Sequence, residues 1–174
     1  NMVQGSYYGI NLVWTSHDTI SNNTANSNGT FSNSAGIKLD TSFYITITGN
    51  TTDSNLHGIY LLSSSNNNIT ANSLRSNGYS SGNGSGITLF MSAFNTISGN
   101  VIAQNSVGIA VDSSSSLLIS NNSFTSNRVV SLALDSSSNV VAVQNTFDSI
   151  TTGPLANPAH IFLHCLKQLR HWRL

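Results

Sequence analysis

Residues 95–100 read NTISGN, and relatives of this hexapeptide return along the chain. Residues 18–23 are DTISNN, 45–50 ITITGN, 67–72 NNITAN and 117–122 LLISNN. Each copy places an apolar residue, then two small residues, then an asparagine. A second motif, Gly-Ile-x-Leu, starts at Gly9, Gly36, Gly58 and Gly86. It continues as Gly108-Ile109-Ala110-Val111 and, degenerate, as Ser131-Leu132-Ala133-Leu134. Successive copies begin 27, 22, 28, 22 and 23 residues apart. The interval from the last residue of each copy to the apolar residue of the hexapeptide is always 8: Leu12 to Ile20, Leu39 to Ile47, Leu61 to Ile69, Leu89 to Ile97, Val111 to Ile119, Leu134 to Ala142.

Three positions further on stands Asn23, Asn50, Asn72, Asn100, Asn122 or Asn145, and five beyond that Asn28, Asn55, Asn77, Asn105 or Asn127, with Ile150 breaking the series. Between the two asparagine columns runs a mostly apolar one: Ala25, Thr52, Leu74, Ile102, Phe124 and Phe147. A unit of about 22 residues with three short apolar stations cannot bury its own apolar face, but stacked units can. Alternation with period two inside Gly-Ile-x-Leu indicates strands, and Asn, Gly and Ser mark the corners. Parallel strands stacked ~4.8 Å apart bring equivalent side chains into ladders, in which buried asparagines pair their amides from coil to coil. Asparagine also tolerates the left-handed backbone that tight corners require. A leucine-rich repeat would need more leucine and a helical half-repeat.

Ser and Asn supply 31 and 24 of the 174 residues, a composition that would suggest disorder without this periodicity. Net charge is zero and 7% of residues are charged, with six Asp and no Glu, so no basic surface for nucleic acid is expected. The single cysteine, Cys165, excludes an intrachain disulfide. No apolar run is long enough to span a bilayer, and no basic-then-apolar leader is present. Because Asn1 falls just before a repeat strand, a fragment of a longer chain is expected, with any leader lying upstream.

The repeated GIxL…NxIxGN…N pattern, covering about residues 9–150, resembles the parallel β-helix repeats of the pectin-lyase-like superfamily. It is most similar to the carbohydrate-binding and sugar-hydrolase β-helix that includes NosD-like proteins. The resemblance implies a right-handed helix of about six coils and an extracellular, cell-surface or periplasmic location. The motif is a folding motif and does not specify an activity.

Both long steps insert residues at the same corner, at about 29–35 (GTFSNSA) and 78–85 (GYSSGNGS). Insertions at one corner of a solenoid project from one face, often the binding face, although surface loops also tolerate insertions for no functional reason. The outward positions of the Gly-Ile-x-Leu strands are Asn11, Lys38, Tyr60, Thr88, Ala110 and Ala133, then Val13, Asp40, Leu62, Phe90, Asp112 and Asp135. Tyr60 and Phe90 suit stacking on a sugar ring, Lys38, Asp40 and Thr88 suit hydrogen bonding, and His57 stands at the same corner. The resemblance supports this choice of face; the plain alternative is ordinary solvent-facing residues with a Lys–Asp pair of little worth.

Enzymatic patterns are sparse. Glycoside hydrolysis needs two carboxyl groups across one bond, and only Asp112 and Asp135 occupy adjacent coils in one column. The same pair is the calcium candidate, short of ligands, and a lyase would also want a basic residue there, for which only Arg128 is near. Residues 160–174, HIFLHCLKQLRHWRL, hold three of five histidines and set Phe162, Cys165, Leu166, Leu169 and Trp172 on one helical face. A C-terminal helical cap over residues 151–174 is expected, with His160 and His164 as a candidate Zn or Cu pair. The resemblance to NosD-like proteins implies copper-site maturation as one role. Asn-x-Ser/Thr sites occur at Asn22, Asn28, Asn50, Asn68, Asn83 and Asn121, and those of Asn28 and Asn83, in or beside the inserted corners, are the candidates to carry glycans in a secreted archaeal or eukaryotic protein.

The expectation is therefore two segments, β-helix repeats over 1–150 and a cap over 151–174. The expected function is a non-enzymatic surface solenoid that binds a polysaccharide or neighbouring surface domains. The alternatives are a polysaccharide lyase or glycoside hydrolase fragment, and a periplasmic copper-maturation protein.

Overall fold

The computed structural model describes residues 1–29, 31, 33–78 and 84–148, and these form an all-β parallel solenoid of about six coils. The expected C-terminal helix at 151–174 lies outside the described residues. Each Gly-Ile-x-Leu motif is the centre of a six-residue strand: Tyr8–Val13, Ala35–Asp40, His57–Leu62, Ser85–Phe90, Val107–Asp112 and Val130–Asp135. They pair in parallel, each with its counterpart one coil away, to make one six-stranded sheet, here the long-strand face. The hexapeptides supply a second six-stranded sheet, including Thr46–Thr48, Asn68–Thr70 and Thr96–Ser98. A third, seven-stranded sheet runs from Met2–Gln4 to Thr146–Phe147.

Register follows the repeat. Ile37, Ile59, Ile87 and Ile109 align in the long-strand face, Ile47, Ile69, Ile97 and Ile119 in the second sheet, and Leu74, Ile102 and Phe124 in the third. All of these side chains are buried in one continuous core. Each contributes roughly 1.5–3 kcal/mol of burial, which no single coil could gain alone. Near the last described coil Phe124 stacks on Phe147, ring centroids 4.8 Å apart and 8° from parallel.

The asparagine columns form ladders. Asn23, Asn50, Asn72, Asn100 and Asn122 each donate an amide hydrogen to the carboxamide oxygen of the next coil, ending at Asn145, over 2.9–3.1 Å. Asn55, Asn77 and Asn105 do the same toward Asn127. The other amide hydrogen returns to a strand carbonyl of the preceding coil, as from Asn100 to Ile69 O at 2.9 Å. Both donors and the acceptor are thereby satisfied away from water.

Two sequence expectations about asparagine need correction. The left-handed residue is not the ladder asparagine but the one before it: Asn22, Gly49, Ala71, Gly99, Asn121 and Gln144 have φ between +53° and +66°. The ladder position must aim its side chain inward, so its predecessor makes the turn. Asn28 is fully buried and its amide nitrogen bonds Val3 O, so it is closed to a glycan; Asn50 is buried in its ladder likewise.

A third ladder is made of serine. At the corner after the long-strand face the hydroxyls of Ser42, Ser64, Ser92, Ser114 and Ser137 each accept a backbone N–H from the preceding coil.

Candidate functional site

Strand pairing brings the expected site residues into three adjacent coils of the long-strand face. Lys38 stands opposite Tyr60, Tyr60 opposite Thr88, and His57 opposite Ser85. The first insertion ends against this region: Ser34 O accepts the His57 N–H at 3.2 Å, and Gly29 O accepts the Leu56 N–H at 3.3 Å.

Lys38 and Tyr60 point away from the core, yet both are only 7% exposed, contrary to the expectation of solvent-facing side chains. Rows of neighbours account for much of this. The Lys38 ammonium lies 3.0 Å from Asp40 Oδ2, 3.5 Å from the Tyr8 hydroxyl and 4.9 Å from the Tyr8 ring centroid. Burial pulls the Lys38 pKa down, but the hydrogen bond to Asp40 and the charges of Tyr8 and Asp40 outweigh it, and the net shift is upward. Lys38 is thus held as a paired cation, with the Asp40 carboxylate also accepting from Thr41 Oγ1 at 3.1 Å.

The His57 ring lies beside Tyr60, centroids 5.2 Å apart and tilted by 34°. Its Nδ1 is 2.8 Å from Thr88 Oγ1 and 3.2 Å from Ser85 Oγ, and these two hydroxyls bond each other. Burial lowers the His57 pKa to about 4, so the imidazole is neutral at neutral pH. In the tautomer protonated at Nε2, Thr88 donates to Nδ1. Burial also raises the Tyr60 pKa, with the Lys38 charge acting against it and Asp40 with it, so the phenol stays protonated.

Lys38, Asp40, His57, Tyr60 and Thr88 therefore form one polar and aromatic strip with Tyr8 and Ser85. Phe90 falls in the neighbouring outward column, between Leu62 and Asp112. Asp112 and Asp135 face each other in register one coil apart, and each accepts a hydrogen bond from the serine that follows it, Ser113 at 2.8 Å and Ser136 at 3.1 Å. Among the described residues no three His, Cys, Asp or Glu side chains come together as a metal site would require. His160 and His164 lie outside the described residues, as does the Asn83 glycan site.

The corner between the long-strand face and the second sheet carries residues that the strand-centred sequence reading passed over. Trp14, Phe43, Tyr44, Met91 and Phe94 are exposed there. Aligning the residues two and five places after each Gly-Ile-x-Leu motif would have found Trp14, Tyr44, Met91 and Phe94, because most other coils have Ser, Thr or Asn at those places.

This architecture and its ladders define a parallel β-helix protein. The chain belongs to the NosD family, described as periplasmic copper-binding protein (NosD), whose model matches residues 1–151. Among solved structures it is similar to the periplasmic alginate epimerase AlgG, with TM-score 0.62 and 19% identity over 84% of this chain and 42% of that one. A mutant of that epimerase matches with TM-score 0.55 and 18% identity over 83% of this chain and 49% of that one. The chain thus spans less than half the length of either structure, and identity this low speaks for the fold alone. No curated protein matches the chain. The family is periplasmic by description, in agreement with the expected extracellular, surface or periplasmic location. No helix among the described residues is long and apolar enough to cross a membrane.

Proposed function

We propose that this β-helix protein holds a polysaccharide chain against the long-strand face around Tyr60 without breaking it. The observation that carries the reading is the in-register strip from Lys38–Asp40 through Tyr60 to His57–Thr88. It sets fixed polar groups of both polarities in one row, the means by which sugar hydroxyls are held, while the covered Tyr60 ring lies beside His57 and fixes its place. The epimerase that shares the fold is described as acting on alginate, a polysaccharide.

The protonation states favour binding over chemistry. A general base works best with a pKa near the operating pH, and His57 sits at about 4 with its Nδ1 already engaged by Thr88. Lys38 is paired and shifted upward, away from the range of a proton acceptor. The test is incubation with alginate, pectate and neutral glucans, with and without calcium, while scoring both retention and products. Retention of alginate or pectate weakened by Tyr60→Ala, without new reducing ends or unsaturated products from any of the glycans, is the expected result. Turnover that disappears in Asp112→Ala would replace this reading with the lyase or hydrolase alternative.

Copper is the second reading, because the family description names it. The described residues do not fit a copper centre: His57 is engaged with hydroxyls, His17 stacks on Tyr44, and no three ligating side chains cluster. The reading then falls to His160 and His164. Titration with Cu(I) should show tight binding lost in the His160→Ala/His164→Ala variant, and equal binding by both proteins would remove it.

A further inference from the structure

The corner after the long-strand face turns through two left-handed positions in every coil. One column is Trp14, Thr41, Ser63, Met91, Ser113 and Ser136, with φ from +46° to +58°. The other is His17, Tyr44, Asn66, Phe94, Ser116 and Asn139, with φ from +52° to +63°. Asparagine is enriched in this conformation, and bulky side chains are uncommon there. Asn66 and Asn139 follow that preference, whereas three coils place His, Tyr or Phe at the same point. These rings add nothing to the core: Trp14 is 80% exposed, Tyr44 56% and Phe94 63%. Neither the backbone nor the packing explains them.

Their surroundings suggest what does. His17 stacks on Tyr44 across adjacent coils, centroids 5.0 Å apart and 20° from parallel, so the two rings overlap as one stacked aromatic pair. Phe94 stands two coils beyond Tyr44 in the same column, roughly 9–10 Å along the axis at the strand spacing, with Asn66 between them. Phe43 and Met91 flank the column, and serine, threonine and asparagine fill the spaces. The corner is close to uncharged; its carboxylate, Asp18, is bonded by the Thr15 hydroxyl. A ring–polar–ring alternation fits a ligand whose apolar faces and hydroxyl edges alternate along its length. A protein partner would instead want a contiguous apolar centre. The corner is also continuous with the long-strand face, since Met91 directly follows Phe90 and Trp14 follows Val13.

We infer that the Trp14–Tyr44–Phe94 corner is a stacking platform for an uncharged polysaccharide lying along the solenoid axis. It shares with the proposed function the class of ligand and none of the residues. The ring faces supply the contact area, and the intervening Asn66 and serine groups hydrogen-bond the hydroxyls. Asp18 in the corner, and Asp40 at its edge beside Thr41, disfavour polyuronates here.

The test is affinity electrophoresis of the full chain in gels containing hydroxyethyl cellulose, glucomannan or alginate. The comparison is a Trp14→Ser/Tyr44→Asn/Phe94→Asn variant, which installs residues that other coils carry at these columns, so its urea midpoint should not fall. Neutral glycans should retard the wild-type chain, and the variant should bind them at least about ten-fold more weakly. Tyr60→Ala should leave that retardation in place, which separates this site from the face around Tyr60. In a Trp172→Phe background, Trp14 emission should shift with added glucomannan. Unchanged retardation of the triple variant would overturn the inference, as would stronger retention of the Tyr60→Ala protein in alginate than in neutral glycans. A Trp14 emission that shifts with protein concentration alone would assign the corner to a second copy and also overturn it.

Discussion

Replacing Asn100 by alanine tests the reasoning on which the solenoid stands. Asn100 is 1% exposed, and its carboxamide makes contacts in both directions along the axis. Its Oδ1 accepts the backbone N–H of Asn72 at 2.9 Å and the Asn72 amide at 3.0 Å. Its Nδ2 donates to Ile69 O at 2.9 Å and to Asn122 Oδ1 at 2.9 Å. Alanine leaves the Asn72 N–H without this acceptor and takes one partner from each of three other groups. An orphaned buried group costs about 1–3 kcal/mol and each of the three other lost hydrogen bonds about 0.5–1.5 kcal/mol, so the whole loss should be about 2.5–7.5 kcal/mol. Asn68→Ala is the control: Asn68 is an exposed asparagine one coil away, in the coil of Asn72, and its removal should change stability by no more than ~0.5 kcal/mol. Urea unfolding followed by circular dichroism measures both, and native-state hydrogen exchange should show the Asn72 amide losing protection first. A loss for Asn100→Ala under about 1 kcal/mol, equal to that of the control, would refute the ladder as a source of stability.

Other expected outcomes concern the core and the candidate site. Thr52 Oγ1 is buried without a hydrogen-bond partner, in a column otherwise mostly apolar, so Thr52→Val should raise stability by about 1 kcal/mol in the same urea assay. A Cβ on Gly58 would meet Gly86 O at 2.5 Å and Thr52 Oγ1 at 2.6 Å, so Gly58→Ala should cost about 2–3 kcal/mol; no loss would mean the coils can separate freely. His57 should titrate near pH 4 by NMR, well below the ordinary histidine value of 6.5. Between those values the unfolded chain binds the proton more readily, so stability should fall as the pH drops through this window. The loss is roughly 3 kcal/mol at most, and His57→Gln should flatten the slope.

Much of the architecture was legible because a solenoid repeats one local solution. The constant interval from Leu39 to Ile47 and from Leu61 to Ile69 is the same path around the corner, and coils stack only if that path is conserved. The buried columns and the asparagine ladders follow from this register. Sequence reasoning misplaced the left-handed residue at those corners because asparagine serves equally as a ladder rung and as a turn residue. In Asn22-Asn23 it is both, side by side.

The site was legible in position but not in state. Register alone placed Lys38, Tyr60 and Thr88 in one row, since residues separated by one repeat must become neighbours. It could not show that Tyr8 reaches across a coil to Lys38, that Thr88 and Ser85 converge on His57, or that Tyr60 is covered. Those facts depend on side-chain direction and on burial, which sets both the neutral His57 and the paired Lys38. The sequence by itself determined the coil, its register and its core, because periodic burial is a one-dimensional property of the chain. Only the tertiary structure decided which polar groups pair, which ionise and which rings remain exposed, because those depend on distances between residues 22 to 31 positions apart.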